Sequence, residues 1–312
     1  MNVFEGLETL PQPYIASSLA IGTFDGVHIG HQAIIRTAVE DAHAHGRPAI
    51  VLTFDRHPSE LLAPDRVPGL LTTPNQRNAY ISALGADSLV ILRFDQALSQ
   101  LPPNAFLQSI VKDQLGAQAI VVGVDFCFGK GRAGDVAYLT AAQAEFGFTL
   151  HALQPVMVGD LPASSTRIRE RLRAGDIAGA ETLLNHPFLL AGTVVGGQKL
   201  GRTLGYPTAN LQLATRQVVP ADGIYAVQAI LDDGQVVGGA CSIGNRPTIE
   251  GAGRAIETYL LDFSADIYGR GMELRFVKRL REELKFDSLD ALKVQMALDV
   301  RAAHAALKEG SQ

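Results

Sequence analysis

The chain has 312 residues, of which 47% are hydrophobic and 19% are charged, so it is long enough for two domains with real cores and too apolar to be disordered. The net charge of −5 argues against general binding to nucleic acid or to anionic membranes, because both need a positive surface. Two cysteines make no disulfide framework, and apolar runs such as Ala49–Phe54 are far too short to cross a bilayer. We therefore expect a cytoplasmic protein that binds small molecules, not nucleic acid or membranes; a homo-oligomer is left open.

The first half of the chain alternates predicted strands with predicted helices. Near-continuous apolar runs, typical of strands buried on both faces of a parallel sheet, occur at Leu19–Thr23, Ala49–Phe54, Ser88–Phe94, Ala119–Val124 and Phe148–Ala152. Helical patterns lie between them at Gln32–His45, Asn75–Leu84, Pro103–Leu115 and Asp135–Phe146. This alternation predicts an α/β fold with a doubly wound parallel sheet, in which ligands bind at the carboxyl ends of the strands.

The pattern changes near Asn185–Pro187, and we place a domain boundary there, between residues 1–186 and 187–312. Short β-type stretches separated by glycine turns follow, which predict a small antiparallel β-barrel, at Gly192–Gly196, Gly223–Leu231, Gln235–Ile243, Ile256–Phe263 and Met272–Leu280. A terminal helix is predicted from about Ser288 to Leu307, with one apolar stripe formed by Leu289, Leu292, Met296, Val300 and Ala303. We expect each domain to fold when it is expressed alone.

The segment Gly22–His31, which reads GTFDGVHIGH, links the first buried strand to a helix. A glycine-punctuated turn at a helix start lets backbone N–H groups converge on an anion, and this turn contains Gly22, Phe24, Asp25, Gly26 and Gly30. His28 and His31 are three residues apart and can aim at the same anion from one helical turn. Simple helix capping is the structural alternative, while a metal site lacks a third ligand nearby. Phosphate chemistry, with the two histidines acting on the reacting group, is the better prediction.

A second predicted anion site is a helix start rich in hydroxyl groups, with Ser164, Ser165, Thr166 and Arg169. A Ser or Thr cap is ordinary on its own, but arginine one turn in adds positive charge to a helix N-terminus. Two other turns follow predicted strands at the same sheet edge: Thr53–Pro58, which contains His57, and Asp125–Gly129. If both anion sites meet at this edge, they suit a nucleoside triphosphate, with its reacting phosphate at the first site and the leaving pyrophosphate at the second.

The second half contains a glycine-rich segment that nearly matches a P-loop, and we take its Gly196, Gly201, Arg202 and Thr203 as phosphate-binding candidates. A true P-loop is rejected because that motif opens a long helix, whereas Gly205 and Pro207 follow at once. A nest of backbone N–H groups can still cradle phosphates. Just beyond it, Thr208 and Asn210 offer the hard oxygen ligands that Mg²⁺ prefers.

Glu257 lies in a predicted strand whose alternation puts Glu257 and Tyr259 on one face. A carboxylate on a barrel strand is usually only solvated. Beside a phosphate-binding loop, however, it becomes a candidate general base that activates a hydroxyl group.

Together these segments resemble the bacterial bifunctional riboflavin kinase/FAD synthetases, over nearly the whole chain. The first half resembles the FMN adenylyltransferase module and the second half the riboflavin kinase module, with Gly201–Asn210 as the most specific match. The resemblance implies phosphorylation of riboflavin to FMN by the second module with ATP and Mg²⁺, and adenylylation of FMN to FAD with release of pyrophosphate by the first. It further implies individual roles: His28 and His31 in adenylyl transfer, Thr208 and Asn210 in binding the Mg-nucleotide, Glu257 as kinase base, and Asp125, Phe126 and Phe128 beside the flavin ring.

Two positions depart from the family pattern: Tyr259 stands where histidine is common, and Arg56 where proline is common. Two other functions stay open at this point. One is a nucleotidyltransferase for another phosphate ester, which leaves Gly201–Asn210 unexplained, and the other is a flavin-binding module without activity. The products formed from riboflavin and ATP distinguish all three.

Overall fold

The computed structural model describes residues 1–197, 201, 204–245 and 254–309. The chain divides into two compact units: Met1–Pro68 with Pro74–Ser164, and Gly69–Thr73 with Ser165–Gln312. This division groups residues 165–186 with the second unit, whereas the sequence predicts a domain boundary at 186/187. Which of the two boundaries gives independently folding fragments stays a prediction.

The first unit is built on a six-stranded sheet in the order β1-β4-β3-β2-β5-β6, in which every neighbouring pair is parallel. Its strands are β1 (Asn2–Glu5), β2 (Ser17–Ile21), β3 (Ala49–Phe54), β4 (Ser88–Leu92), β5 (Ala117–Gly123) and β6 (Thr149–Leu153). A short antiparallel hairpin follows, formed by β7 (Met157–Val158) and β8 (Leu161–Pro162). The predicted doubly wound parallel sheet is therefore confirmed.

Alternate residues of each central strand enter two separate cores, one on each face of the sheet. In β2, Leu19 and Ile21 belong to one core, while Ala20 belongs to the other. The same alternation occurs in β3, where Ile50 and Val51 face opposite ways. This burial on both faces is why these strands read as continuous apolar runs in the sequence.

The helices of the first unit connect successive strands: α1 (Ile29–His45), α2 (Ser59–Leu62), α3 (Pro74–Ala83), α4 (Gln96–Ser99), α5 (Pro103–Phe106) and α6 (Val136–Phe146). Helix α1 begins three residues earlier than the periodicity predicts, because His28 caps it. The predicted helix Pro103–Leu115 instead continues from α5 as a π-helical turn over Leu107–Lys112. Strand β1 was not predicted, since it is an exposed edge strand with little apolar signal.

The second unit contains a closed barrel in the order β10-β13-β12-β11-β14-β9, with antiparallel neighbours. Its strands are β9 (Leu189–Val195), β10 (Thr208–Leu213), β11 (Gly223–Leu231), β12 (Val236–Asn245), β13 (Arg254–Leu260) and β14 (Gly271–Arg281). The predicted small antiparallel barrel is confirmed, and β10 is a strand that the sequence reading missed. Strand β10 begins at Thr208, so the glycine-rich segment leads into a strand and not into the long helix that follows a P-loop. This agrees with the rejection of a P-loop.

The helices described in the second unit are α7 (Ser165–Arg173), α8 (Ile177–Leu184) and the terminal α9 (Leu289–Glu309). Helix α9 packs on the barrel through Ala303 and Ala306. The predicted apolar stripe is wrong at its start, because Leu289 is 58% exposed. The buried Asp299 lies on the packed side instead, since it pairs with an arginine of the barrel.

Candidate active sites

The first candidate site lies in the first unit, where the Gly22–His31 turn and the Asp125–Phe128 turn leave neighbouring strands. These are β2 and β5, which pair in parallel, whereas the connection from β2 through α1 leads to β3 on the other side. The order of the strands thus reverses at β2, and a crevice at such a switch point is where doubly wound sheets bind ligands.

The backbone of the Gly22–His31 turn is strained. Phe24 has φ 50° and Val27 has φ 37°, values that L-residues adopt rarely and a β-branched valine most rarely. Both side chains are fully buried, so their packing stabilises the strained backbone. A Cβ on Gly22 would lie 3.0 Å from the Phe24 ring, which explains the glycine there. Because its side chain is fully buried, Phe24 can reach a ligand only through its backbone. Backbone strain of the kind seen at Phe24 and Val27 is typical of functional turns.

The two histidines are brought together as predicted, in a stacked pair whose ring centroids are 3.6 Å apart. His28 caps α1, because its Nδ1 accepts hydrogen bonds from Gly30 N at 3.1 Å and His31 N at 3.3 Å. An imidazole that accepts at Nδ1 carries its proton on Nε2 when neutral. His28 therefore caps α1, as the structural alternative expects, and the cap fixes the orientation of the ring; its role in phosphate chemistry stays a prediction.

The other predicted residues of this unit lie on turns that follow β3 and β5. His57 Nδ1 accepts a hydrogen bond from the N–H of Ser59, the first residue of α2, at 3.1 Å. Asp125 is exposed. Phe126 stacks on Phe128 with centroids 5.6 Å apart, but Phe128 is buried in the core at 8% exposure. The half-buried Phe126 ring is therefore better placed than Phe128 to meet a flat ligand.

Asp55, at the end of β3, is held ionised by its neighbours. Partial burial tends to raise its pKa, but hydrogen bonds from Phe94 N and from Arg56 outweigh that effect and keep the pKa below its ordinary value. Arg56, the departure from the family pattern, reaches Asp55 Oδ2 at 3.1 Å. Arg56 thus forms an ion pair with Asp55 in the turn that follows β3.

The predicted second anion segment contains the chain boundary between the two units, since Ser164 belongs to the first unit and Ser165 to the second. Ser165 starts α7 and Thr166 is exposed. Arg169 is buried at 6% exposure and its Nε donates to Gly69 O at 2.7 Å. This contact gives Arg169 a structural part in the second unit. The meeting of this segment with the His28 site stays a prediction.

The second candidate site lies on the barrel, where the strand register juxtaposes the predicted residues. Asn210 on β10 is directly opposite Glu257 on β13, and Thr208 is opposite Tyr259. On the other side of β13, Ser242 is opposite Glu257. Directly opposed residues share a face of an antiparallel sheet. The register therefore sets two hard oxygen donors beside one carboxylate.

The glycine-rich segment before β10 approaches these donors. A Cβ on Gly197 would lie 2.3 Å from the Asn210 amide nitrogen, and one on Gly201 would lie 3.5 Å from Thr208 Oγ1. Gly196 directly follows β9 and is exposed. The predicted phosphate ligands Arg202 and Thr203 lie outside the described residues. Residues 246–253, between β12 and β13, also lie outside them.

A cavity of about 290 Å³ is lined by Glu257 and by residues of α9. Its polar lining includes Thr208, Ser242, Glu257, Tyr259, Arg281, Glu283 and Asp299, and its apolar lining includes Leu284, Phe286, Leu292, Met296 and Val300. Tyr259 packs edge-on against Tyr206 with ring centroids 5.3 Å apart. Such a mixture of an apolar wall with a few convergent polar groups is typical of a small-molecule site.

Residues that the sequence reading missed hold α9 over this cavity. Arg281 forms a two-point ion pair with Asp299, at 2.7 Å from Nε to Oδ1 and 2.6 Å from Nη2 to Oδ2, and Gln295 donates to the same carboxylate at 2.9 Å. Glu283 also lines the cavity. Its pKa is raised mainly by partial burial and, to a smaller extent, by the negative charge of Asp222. No local pattern signals the Arg281–Asp299 pair, since its partners are 18 residues apart in the sequence.

In the described part of the chain, no three His, Cys, Asp or Glu side chains are grouped so that they could hold a metal ion. No helix among the described residues combines the length and hydropathy needed to cross a membrane.

Comparisons with known proteins cover nearly the whole chain. The family model described as FAD synthetase matches residues 11–167, and the one described as riboflavin kinase matches residues 184–307. Proteins described as bifunctional riboflavin kinase/FMN adenylyltransferase are similar: one from Pseudomonas fluorescens is 43% identical over 98% of this chain and 97% of its own, and one from Escherichia coli K12 is 39% identical over 96% of both chains.

A solved structure described as a macrolide-efflux protein from Streptococcus pneumoniae is also similar, at 31% identity and a TM-score of 0.86, over 97% of this chain and 99% of its own. The first family model covers the part of the chain that contains the Gly22–His31 site, and the second covers the part that contains the barrel site.

Proposed function

Because the chain belongs to the bifunctional riboflavin kinase/FMN adenylyltransferase family, we propose that it builds FAD from riboflavin in two ATP-dependent transfers, one at each candidate site. At the barrel, the γ-phosphate of ATP passes to the ribityl 5′-hydroxyl of riboflavin, giving FMN and ADP. In the first unit, a phosphate oxygen of FMN attacks the α-phosphorus of a second ATP. The bond from that phosphorus to the β-phosphate bridging oxygen breaks, and FAD and pyrophosphate result.

The observation that carries the kinase assignment is the opposition of Asn210 and Glu257 across β10 and β13. Glu257 lines the cavity, where it can accept the proton that the hydroxyl loses as its oxygen bonds to the γ-phosphorus. The apolar residues of the lining suit the flavin ring. With the ring there and the ribityl chain directed to Glu257, the reacting hydroxyl is positioned before the transfer begins.

The donor set on β10 fits Mg²⁺. Thr208 offers a hydroxyl oxygen and Asn210 an amide oxygen, and magnesium is commonly held by a few hard oxygens together with phosphate oxygens and water. The cation, when bound with ATP, supplies positive charge that neutralises the transferred phosphoryl group. The part of this chain is to fix both ligands on one strand, next to the carboxylate that receives the proton.

The adenylyl step needs no general base, because the FMN phosphate is already an anion. What it needs is charge stabilisation at the α-phosphate, and the strained Gly22–His31 turn offers two imidazoles at the start of α1, where the helix dipole also favours an anion. The cap at His28 Nδ1 orients the ring before substrate arrives. The family resemblance adds Asp125, Phe126 and Phe128 as neighbours of the flavin. The hydroxyl and arginine pattern of Ser164–Arg169 supports this segment as a site for the pyrophosphate.

The chemistry of the chain is consistent with small-molecule substrates and with a reducing cytoplasm. Cys127 and Cys241 are both free thiols, and the net charge is −5, which disfavours binding to nucleic acid. The test of the proposal is product analysis after incubation with riboflavin, ATP and Mg²⁺. FMN followed by FAD supports it, another adenylylated ester would indicate a different nucleotidyltransferase, and unchanged riboflavin would indicate a binding module.

A further inference from the structure

The Arg281–Asp299 ion pair is the first buried attachment of α9 to the barrel, counted from the N-terminal end of the helix. Among the residues that the structure describes in α9, only Asp299, Ala303 and Ala306 are buried. The two alanines pack on the barrel and dock the C-terminal half of the helix. Residues 289–298 have no buried side chain of their own, so the nearest buried contact that secures this N-terminal half is the ion pair.

The geometry of the pair is directional. Arg281 Nε donates to Asp299 Oδ1 at 2.7 Å and its Nη2 donates to Oδ2 at 2.6 Å, and two parallel hydrogen bonds hold a guanidinium and a carboxylate in one relative orientation. Gln295, one turn earlier on α9, also donates to Oδ1, at 2.9 Å. Arg281 Nη1 donates to Glu282 O at 2.7 Å. Each side chain is thus held from its own side, and the pair fixes the orientation of α9 relative to β14.

One face of α9 lines the cavity beside Glu257. Leu292, Met296 and Val300, which we call the cavity stripe, are among its lining residues and recur at every fourth position, so they share a face of the helix. All three are only half-buried. Their packing on the barrel is therefore incomplete, and a flavin ring placed against them would complete it.

A second apolar stripe lies on the other side of the same half of α9. Val294 is 64% exposed and Leu298 is 46% exposed, and each follows a member of the cavity stripe by two residues, a turn of about 200° around the helix. Apolar burial by itself could bring either stripe towards the barrel. The ion pair forms only in the observed rotation, because a half-turn would carry Asp299 away from β14. A buried polar contact can select one of two apolar packings in this way.

We propose that Arg281 and Asp299 are positioning residues for riboflavin: they set the rotation of α9 and so keep the cavity stripe turned towards the flavin ring. The inference rests on the proposed kinase function of the second unit. It assigns no contact between this pair and the substrate. Its consequence is that loss of the pair weakens the binding of riboflavin more than that of ATP, because the proposed ligands of the Mg-nucleotide, Thr208 and Asn210, are fixed on β10 by strand pairing.

The experiment replaces the pair by apolar side chains that are no larger, so that they cannot fill the cavity: Arg281→Met, Asp299→Ala and both together, in the full-length chain. Each single substitution strands a charge and should lower the melting temperature, whereas the double variant strands none and should be more stable than either single variant. We expect the double variant nevertheless to have a KM for riboflavin raised about tenfold or more, as for a lost methylene contact in an apolar pocket, with a KM for ATP close to that of the unsubstituted chain.

The matched control is Arg301→Met, at an exposed arginine of the same helix that donates to Ala297 O within α9. It should leave both KM values unchanged. A double variant that is as stable as the unsubstituted chain and has the same KM for riboflavin would overturn the proposal, because the pair would then serve stability alone.

Hydrogen exchange in the flavin-free protein distinguishes positioning from direct contact with substrate. Loss of the pair should speed amide exchange in residues 289–298 and leave residues 303–309 unchanged, because the alanines still dock the C-terminal half. Arg281→Lys extends the measurement to a variant that keeps the charge but cannot reproduce the two-point contact, and it should show the same change to a smaller extent. A raised KM for riboflavin with unchanged exchange would mean that the pair contacts the substrate itself, which overturns the positioning role.

Adenylylation of supplied FMN serves as the internal control, since its proposed residues lie in the other compact unit. An unsubstituted chain that forms no FMN from riboflavin and ATP would refute the proposed kinase function. That result is distinct from failure of the inference about α9, which requires an unsubstituted chain that does form FMN and a double variant that behaves like the Arg301→Met control.

Discussion

Asn210 and Glu257 are direct cross-strand partners in the barrel, with Asn210 on β10 and Glu257 on β13. An amide oxygen and a carboxylate are thereby held on one face of the sheet, and Glu257 also lines a cavity with a mixed polar and apolar lining. The register of two strands, and not a loop, sets their separation. This rigidity has consequences that substitutions can measure.

The first prediction concerns the proton acceptor of the kinase site. Glu257→Gln keeps the size of the side chain but removes its basicity, so riboflavin phosphorylation should fall by about 10²–10⁴, while conversion of supplied FMN to FAD stays largely intact. Chromatographic separation of riboflavin, FMN and FAD measures both steps in one sample. Glu282→Gln, at an exposed carboxylate nearby, is the control. Normal phosphorylation by Glu257→Gln would remove this residue from the mechanism.

The second prediction concerns the stacked histidines. His28→Ala combined with His31→Ala should stop FAD formation and let FMN accumulate, with kcat falling more than binding weakens, as expected for contacts made mainly in the transition state. His28→Asn is the informative single variant, because it keeps an acceptor for the helix cap. It should lose adenylyl turnover, by about 10², while retaining the stability of about 1 kcal/mol that His28→Ala forfeits. Collapse of FMN binding with normal turnover of bound FMN would make the imidazoles ground-state ligands only.

The third prediction concerns independent folding of the barrel. A fragment that starts near Pro187 lacks α7 and α8, and with them the acceptors of two hydrogen bonds: Glu181, which accepts from Phe188 N at 2.9 Å, and Leu172, which accepts from Ala221 N at 3.0 Å. A fragment that starts at Ser165 keeps both, together with the buried Ile168 and Leu183.

We therefore expect residues 165–312 to unfold cooperatively, and to be more stable than residues 187–312 by about 2 kcal/mol or more. Denaturant unfolding compares the fragments, and riboflavin phosphorylation reports whether each site is intact. Equal stability would show that the 186/187 boundary is the functional one. A folded 165–312 fragment without kinase activity would mean that its site borrows residues from the first unit.

The fourth prediction concerns Glu181, the carboxylate that links α8 to β9. Burial raises its pKa above the ordinary value of 4.5, although the hydrogen bond from Phe188 N and the charge of Arg275 act in the opposite direction. Since the folded-state pKa exceeds the unfolded one, the native state keeps its proton to a higher pH, and its stability falls as the pH rises through that interval.

Glu181→Gln retains an oxygen for Phe188 N without a charge, so it should raise the melting temperature at neutral pH and have little effect below pH 4.5. Thermal unfolding between pH 4 and pH 8 measures the difference. Glu181→Ala is the contrasting variant, because it leaves the Phe188 N–H without its acceptor and should destabilise at every pH. A melting temperature of Glu181→Gln that lies below that of the unsubstituted chain at neutral pH would contradict the cause assigned to the shift.

Local chemistry determined much of this protein from the sequence alone. Strand Ala49–Phe54 has the predicted bounds because burial on both faces leaves an uninterrupted apolar run, and the alternation around Glu257 predicts its face because side chains in a strand alternate with period two. The glycines of the Gly22–His31 turn and the His28–x–x–His31 spacing likewise point to their site without any distant contact.

Tertiary structure alone decided which distant residues meet. The opposition of Asn210 and Glu257 depends on barrel register, the Arg281–Asp299 pair depends on how α9 lies against β14, and Arg77 reaches Thr53 only because α3 packs beside the end of β3. Gly69–Thr73 joins the second unit through backbone pairing of Leu70 with Arg216 and Val218. Periodicity records which face of an element is buried, but not the neighbour that buries it, because that choice is made by the summed packing of segments far apart in the chain.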